Sequence, residues 1–305
     1  MMKRKFLAWT LLIFLAAVFA TMFWQQSRYG DIRRDFAQDR QSPLYGQSLH
    51  VLTYLTAPPE LELLSSLRTL RASAEHEGTG ILIYAGKVVR NARDSTQLTE
   101  ALGRDVEWEA IILQQFESRE AYSRYLQNDE VRAALSVFPV QFAHGMRRSA
   151  AQNLLLPQAL LLRRLQRLIT FAPTSVPFEA ISGAEDMEIA DVARSMLPAT
   201  GGFGEEAIVV VNLMLEGDAA QSAANAEYGD QMFSLFAEQE HGPIHVGASV
   251  PIDHPLDYTS VALVYYPGVS YFRNLVLSTF FQEIIGDKQL ADTMVSITVP
   301  ITNRL

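Results

Sequence analysis

His241 and His245 stand four residues apart, with Glu240 beside the first, and form the nearest approach in this chain to a metal-ligating cluster. Gly242-Pro243 between them breaks any helix that would aim both rings at one ion, and a closed metal site needs three or four ligands. No resident metal is expected. Gly201-Gly202-Phe-Gly204 is rich in glycine, yet it precedes a strand. A phosphate-cradling loop runs from strand into helix, so that the helix N-terminus faces the anion. There is no Gly-x-Ser-x-Gly elbow for a nucleophilic serine. With no cysteine in the chain, thiol catalysis, thiolate ligation and disulfides are excluded. What remains is a set of polar-tipped residues inside strand-like runs: Tyr54, Tyr84, Asn212, Tyr265 and Tyr266, together with the two histidines. Such groups can give a ligand pocket an apolar wall and a few hydrogen-bonding points. They can equally satisfy one another in a packed core. No acid–base or nucleophile pattern names a catalytic residue.

The elements that must position these residues come in two sets. Trp108–Phe116 is answered by Tyr258–Tyr266, an offset of 258 − 108 = 150. The same offset carries Ala121, Tyr122, Tyr125 and Leu126 onto Tyr271, Phe272, Leu275 and Val276. The first set reads as a strand at Leu49–Leu55 ended by Pro58-Pro59, a helix carrying Leu63, Leu67, Leu70 and Ala74 with Gly78 as its stop, and strands at Ile81–Val89 and Trp108–Phe116. A helix capped by Ser118 and a strand within Phe138–Ser149 complete it. The second reads as Ile208–Leu215, a helix with Ala224, Tyr228, Met232, Leu235 and Phe236 on one stripe, Ile244–Val250, Tyr258–Tyr266, a helix at Ser270–Ile285, and Met294–Ile301. Each set is β-α-β-β-α-β, the split order of ferredoxin-like units. A sheet with helices on one face should alternate apolar and polar residues. Ile208–Leu215 and Ile111–Leu113 are apolar at both parities, so their second face also needs cover. The sheet of the other set is the candidate, at about 25 cal/mol per Å² buried.

On Val211-Asn212-Leu213, His241-Gly242, Tyr265-Tyr266-Pro267 and the run from Leu290 to Thr293, the chain resembles the dimeric α/β-barrel superfamily. It is most similar to the small uncharacterised single-domain members, here in tandem. The resemblance implies an α+β fold in which two ferredoxin-like units form one intramolecular barrel. It departs at Gly268, where many relatives have Ser, and at Asp287-Lys288, where an Arg is usual. The first copy keeps the pattern less well, with Glu117 where the second has Pro267. Some relatives ligate haem through one histidine. Here that role would fall to His76, His144, His241, His245 or His254, and nothing in the pattern singles one out.

Phe6–Trp24 is free of charge and follows Lys3, Arg4 and Lys5. At the helical rise it covers about 28 Å, close to the hydrocarbon layer of a bilayer. An uncleaved single-pass anchor with a cytoplasmic N-terminus and a periplasmic body is the favoured expectation. A signal peptide cleaved near Val18-Phe-Ala20 is the alternative. The expected divisions are 1–25 for the anchor, 26–47 for a tether, 48–149 and 206–305 for the two units, and 150–205 for a linker. In that linker Leu161, Leu162, Leu165, Leu168 and Ile169 form a stripe with Arg163, Arg164 and Arg167 elsewhere. The stripe is expected to pack on the barrel with the arginines solvated, the alternative being a basic helix on anionic headgroups. A further short helix is expected at 185–196.

The 305 residues are 49% hydrophobic and 19% charged, with a net charge of −9. That composition suits a folded core and argues against nucleic-acid binding. Two functions of different class follow. One is a non-enzymatic, membrane-tethered binding or assembly protein, with a small apolar ligand between the sheets or a protein partner, and no cofactor. The other, implied only by the resemblance, is a cofactor-independent monooxygenase-like or haem-handling enzyme.

Overall fold

The computed structural model describes residues 2–32, 36, 48–58, 63–76, 80–148, 150–171, 207–239 and 241–305. The glycine run at 201–204, the helix expected at 185–196, Gly78 and Glu240 lie outside these residues. The elements are α1 (Met2–Ile32), β1 (Leu49–Thr56), α2 (Leu63–His76), β2 (Gly80–Arg93), α3 (Thr96–Leu102), β3 (Trp108–Phe116), α4 (Arg119–Gln127), α5 (Asp129–Ser136) and β4 (Gln141–Arg147). They continue with α6 (Ala150–Ile169), β5 (Ile208–Leu215), α7 (Ala219–Gln239), β6 (Gly242–Pro251), β7 (Ser260–Tyr266), α8 (Val269–Val276), α9 (Thr279–Ile284) and β8 (Asp292–Pro300).

The eight strands among the described residues pair antiparallel and close in the order β1-β3-β2-β8-β5-β7-β6-β4. Within each half the order is fourth, first, third, second strand: β4-β1-β3-β2 and β8-β5-β7-β6. The halves join through β2 on β8, from Gly86↔Pro300 to Arg93↔Val295, and β4 on β6, from His144↔Pro251 to Arg147↔Ala248. They therefore meet edge to edge as well as face to face. Closure pairs the edge amides and carbonyls that two stacked sheets would leave open.

The doubly apolar strands are explained by three clusters. Leu52, Tyr54, Ile111, Leu113, Val209, Val211, Leu213, Val261 and Leu263 point into the barrel. Val51, Leu55, Ile112 and Phe116 point outward beneath α2, α4 and α5. Ile208, Val210, Ile297 and Val299 do the same beneath α7 and α8. The expected second helix of each half is broken by a capping residue. Asn128 Oδ1 accepts from the amides of Glu130 and Val131 and starts α5. Ser278 Oγ accepts from Phe281 N and starts α9. These breaks lie 278 − 128 = 150 residues apart, the offset of the strands.

Helix α1 runs from Met2 to Ile32, past the division expected at residue 25. Its last turns join the folded body: Gln25 Nε2 donates to Pro157 O (3.2 Å), Gln158 Nε2 to Met22 O (3.1 Å), and the buried Tyr29 hydroxyl to Pro243 O. Trp9–Tyr29 is long and apolar enough to cross a membrane, and residues 9–21 are exposed. Helix α6 is turned over relative to expectation. Arg163 pairs with Asp230 (2.5 Å) and Arg167 with Glu238, both on α7, while Leu162, Leu165, Leu168 and Ile169 are exposed. The acids on α7 give the arginine face a better partner than solvent, so the leucines are left outside.

Candidate functional site: the ring-lined end of the barrel

The inner parity of the strands carries more polar side chains than a plain hydrophobic core. His50 is the one imidazole in the apolar run of β1, at the parity of Leu52 and Tyr54, and faces Gln115 and Met146 across the sheet. A bulge between Pro243 and His245 sets His245 opposite Leu263, an inward position. A second bulge, between Leu82 and Tyr84, brings Tyr84 inside. These three rings gather at one end of the barrel around a fourth. The ring of Phe36 stacks on Tyr84 with centroids 4.5 Å apart and planes 16° from parallel, and on His245 at 5.4 Å and 29°. His50 and His245 lie 6.3 Å apart. The Tyr84 hydroxyl meets Thr298 Oγ1 at 2.7 Å, and that hydroxyl donates to Val209 O at 2.7 Å. Gly86 makes room for this pair, since a Cβ there would lie 2.5 Å from the Tyr84 hydroxyl.

The other end is arranged differently. His144 Nε2 and Ser249 Oγ share a hydrogen bond of 2.5 Å, and burial pulls the imidazole down to about pH 4. Its ring sits edge-on to Tyr258 at 5.2 Å. Tyr258 donates to Ser95 Oγ (2.5 Å), which donates to Asp292 Oδ2 (2.7 Å). Burial works to raise the Asp292 carboxyl, but bonds from Ser95, Gln97, Thr96 and Thr293 outweigh it and hold it low. Tyr54 packs on Trp108 (5.5 Å) and Phe142 (5.9 Å). Its buried hydroxyl has no hydrogen-bond partner among the described residues. Burial, then Tyr258, raises its ionisation well above the usual phenol range.

Of the seven residues singled out from the sequence, Tyr54, Tyr84, His245 and Tyr265 do point into the barrel. Asn212, His241 and Tyr266 do not. Asn212 alternates with Val211 and Leu213 and faces outward, where its Oδ1 accepts from Lys288 Nζ at 3.1 Å. Burial, with Arg93 nearby, lowers that ammonium to about 8. His241 lies outside the barrel against Tyr266 and Tyr271, its Nε2 sharing a 2.6 Å bond with the Tyr271 hydroxyl. Burial lowers it to about 3. Strand parity separates the two groups, and the bulges decide it for Tyr84 and His245. His50, Phe36 and Ser249 were missed. For His50 the signal was present: an imidazole at inward parity in an otherwise apolar strand.

A haem does not fit these residues. His144 Nε2 is committed to Ser249 and His241 Nε2 to Tyr271. His245 is covered by Phe36, and His76 lies exposed on α2. His254 sits in a loop beside Phe142. Leu52, Tyr54, Ile83 and Ile111 fill the interior and are almost wholly buried, whereas a porphyrin needs a cavity of several hundred Å³. Among the described residues no three His, Asp or Glu side chains converge on one point. The ring-lined end is smaller: the single ring of Phe36 lies against Tyr84 and His245, with the His50 imidazole and the Tyr84–Thr298 hydroxyl pair beside it.

No protein-family model matches the chain, and no curated protein does. Solved structures resemble it in fold. One is a monooxygenase-like protein from Lactobacillus acidophilus NCFM, at 10% identity over 84% of this chain and 94% of that one, with a TM-score of 0.41. Another is chlorite dismutase from Candidatus Nitrospira defluvii in complex with imidazole (10%, 85% and 94%, TM-score 0.42). A third is an anthrone oxidase-like protein (10%, 85% and 94%, TM-score 0.44). These neighbours are of the dimeric α/β-barrel type. At such identities the similarity is one of fold, not of activity.

Proposed function

We propose that the barrel takes a small planar aromatic molecule between Tyr84 and His245, where Phe36 sits in this structure, and promotes its oxidation by dioxygen without a bound cofactor. The observation that carries this reading is the Phe36 stack. A flat ring is held on both faces inside a barrel end that also carries two imidazoles and two hydroxyls. No described Asp or Glu is buried there, so the site suits a neutral ligand. When His50 or His245 accepts a proton from an activated methylene, the imidazolium and the ligand anion neutralise each other. The anion supplies the electrons that reduce oxygen. In the balanced reaction one methylene and one dioxygen give one ketone carbonyl and one water. The carbon keeps one oxygen atom, and the two methylene hydrogens leave with the other.

The same reading treats residues 48–149 and 206–305 as tandem ferredoxin-like copies joined by 150–205. It treats α1 as a retained anchor with the body on the periplasmic side. Support for the anchor comes from Gln25 and Tyr29, which lock the end of α1 to α6 and β6. The intact mass of the membrane-extracted protein tests retention: loss of the first twenty or so residues, a signal peptide's usual length, would refute it.

The activity test is oxygen uptake by the detergent-purified chain with anthrone, a planar three-ring ketone with one oxidisable methylene. One oxygen consumed per quinone formed is expected, with the rate lost in His50→Gln with His245→Gln. A rate no higher than without protein, in the wild type and in Phe36→Ala alike, would overturn the enzymatic reading. Saturable binding without oxygen uptake would favour a non-enzymatic ligand carrier.

A further inference from the structure

Helix α6 presents its apolar ridge to the outside although a charged face was available. Leu162, Leu165, Leu168 and Ile169 are all exposed, Ile169 at 76%. Phe171, just past the helix, is 94% exposed and sits in the left-handed region at φ 51°, an unfavourable place for a residue with a Cβ. At 100° per residue these leucines lie opposite Arg163 and Arg167, which are held by Asp230 and Glu238 of α7. The ridge is therefore fixed outward by paired charges. A contiguous exposed apolar patch marks an interaction surface.

The occupant is indicated by what adjoins it. Helix α6 packs on α1 through Pro157–Gln25 and Gln158–Met22. On α1 the exposed Trp24 ring lies 5.3 Å from the Arg28 guanidinium. Aromatic and arginine side chains are those that settle at a membrane–water interface. Arg28 of α1 and Arg164 of α6 line the cleft where the two helices meet α7. The exposed apolar residues of α1 end where α6 packs on it, and the α6 ridge begins at Leu162, four residues beyond Gln158 of that contact.

We propose that the α6 ridge, Leu162 through Phe171, is embedded in the outer interface of the same membrane that α1 crosses, so that the barrel lies down on the bilayer. This rests on the anchor reading of α1. An amphipathic helix of this kind inserts its apolar face among headgroups and acyl chains.

The absence of native cysteine allows single-site labelling of the full chain. Leu162→Cys, Leu165→Cys and Ile169→Cys are each spin-labelled in phosphatidylcholine–phosphatidylglycerol vesicles. Phe14→Cys on α1 serves as the bilayer reference and Ser123→Cys on α4 as the water reference. The α6 labels are expected to collide more with oxygen than with a water-soluble nickel chelate, as at position 14 and opposite to position 123. Labels at 162, 165 and 169 that match position 123 while 14 is in lipid would overturn the inference and leave the anchor standing. Spin–spin broadening at α6 that disappears on dilution with unlabelled chain would show a second copy on the ridge and also overturn it. A water-exposed label at position 14 would refute the anchor itself and the inference with it.

Discussion

Replacing Phe36 by Ala tests the slot from the side of stability. The ring is buried between Tyr84 and His245, in contact with the inner core of the barrel. Truncating a buried Phe costs about 3–5 kcal/mol when the cavity stays open. Phe36 stands at the barrel end, so the lower figure applies. For a domain of this size, 3 kcal/mol corresponds to a fall of roughly 6–12 °C in Tm. The variant leaves a one-ring hole that one ring of a planar ligand can enter. At a hundredfold excess over Kd such a ligand returns about 2.7 kcal/mol. Differential scanning fluorimetry in detergent, with and without anthrone, reads both effects. Wild type should respond less than Phe36→Ala, because its own ring competes for the slot. An unchanged Tm for the variant would refute the packing of Phe36. An equal ligand response in both proteins would place the ligand elsewhere.

Three further outcomes are expected. Tyr54→Phe removes a buried hydroxyl that has no partner and should raise stability in urea by up to about 1 kcal/mol, since an unsatisfied buried group is a penalty; a loss above that would reveal a hidden bond. Asp292→Ala strips four donors, from Ser95, Thr96, Gln97 and Thr293, and uncouples α3 of the first half from β8 of the second. It should cost about 2–3 kcal/mol by the same measurement. His144 and His241 are held neutral, with ionisation at about 4 and about 3 against 6.5 when unfolded. The unfolded chain therefore binds more protons below pH 6.5, and stability is full above that value and lost as pH falls towards 4. A decline of about 2 kcal/mol per histidine between pH 7 and pH 5 is expected, and His144→Gln should remove its share. A flat profile would contradict the burial of both rings.

The architecture could be read from the residues because burial on two faces leaves a plain mark. Val210 and Val211 are both apolar, and each belongs to a different core, one outside the barrel and one inside. The offset of 150 held down to the helix breaks at Asn128 and Ser278. The site was read less well, because side-chain direction in a strand turns on single-residue bulges. The bulges at Leu82/Tyr84 and Pro243/His245 have no strong residue signal, yet they turn Tyr84 and His245 inward. Asn212 looked like a pocket residue, but strict alternation with Val211 sends it outward to Lys288. The orientation of α6 was set by a partner far along the chain. Asp230 and Glu238 draw Arg163 and Arg167 inward, and periodicity alone cannot tell which face of an amphipathic helix finds a neighbour.

The most direct test of the proposed site is a crystal structure of Phe36→Ala soaked with anthrone. A planar molecule stacked between Tyr84 and His245 is the predicted result. A slot closed by collapse of Tyr84 onto His245, or an anthrone bound on the outer face instead, would contradict it.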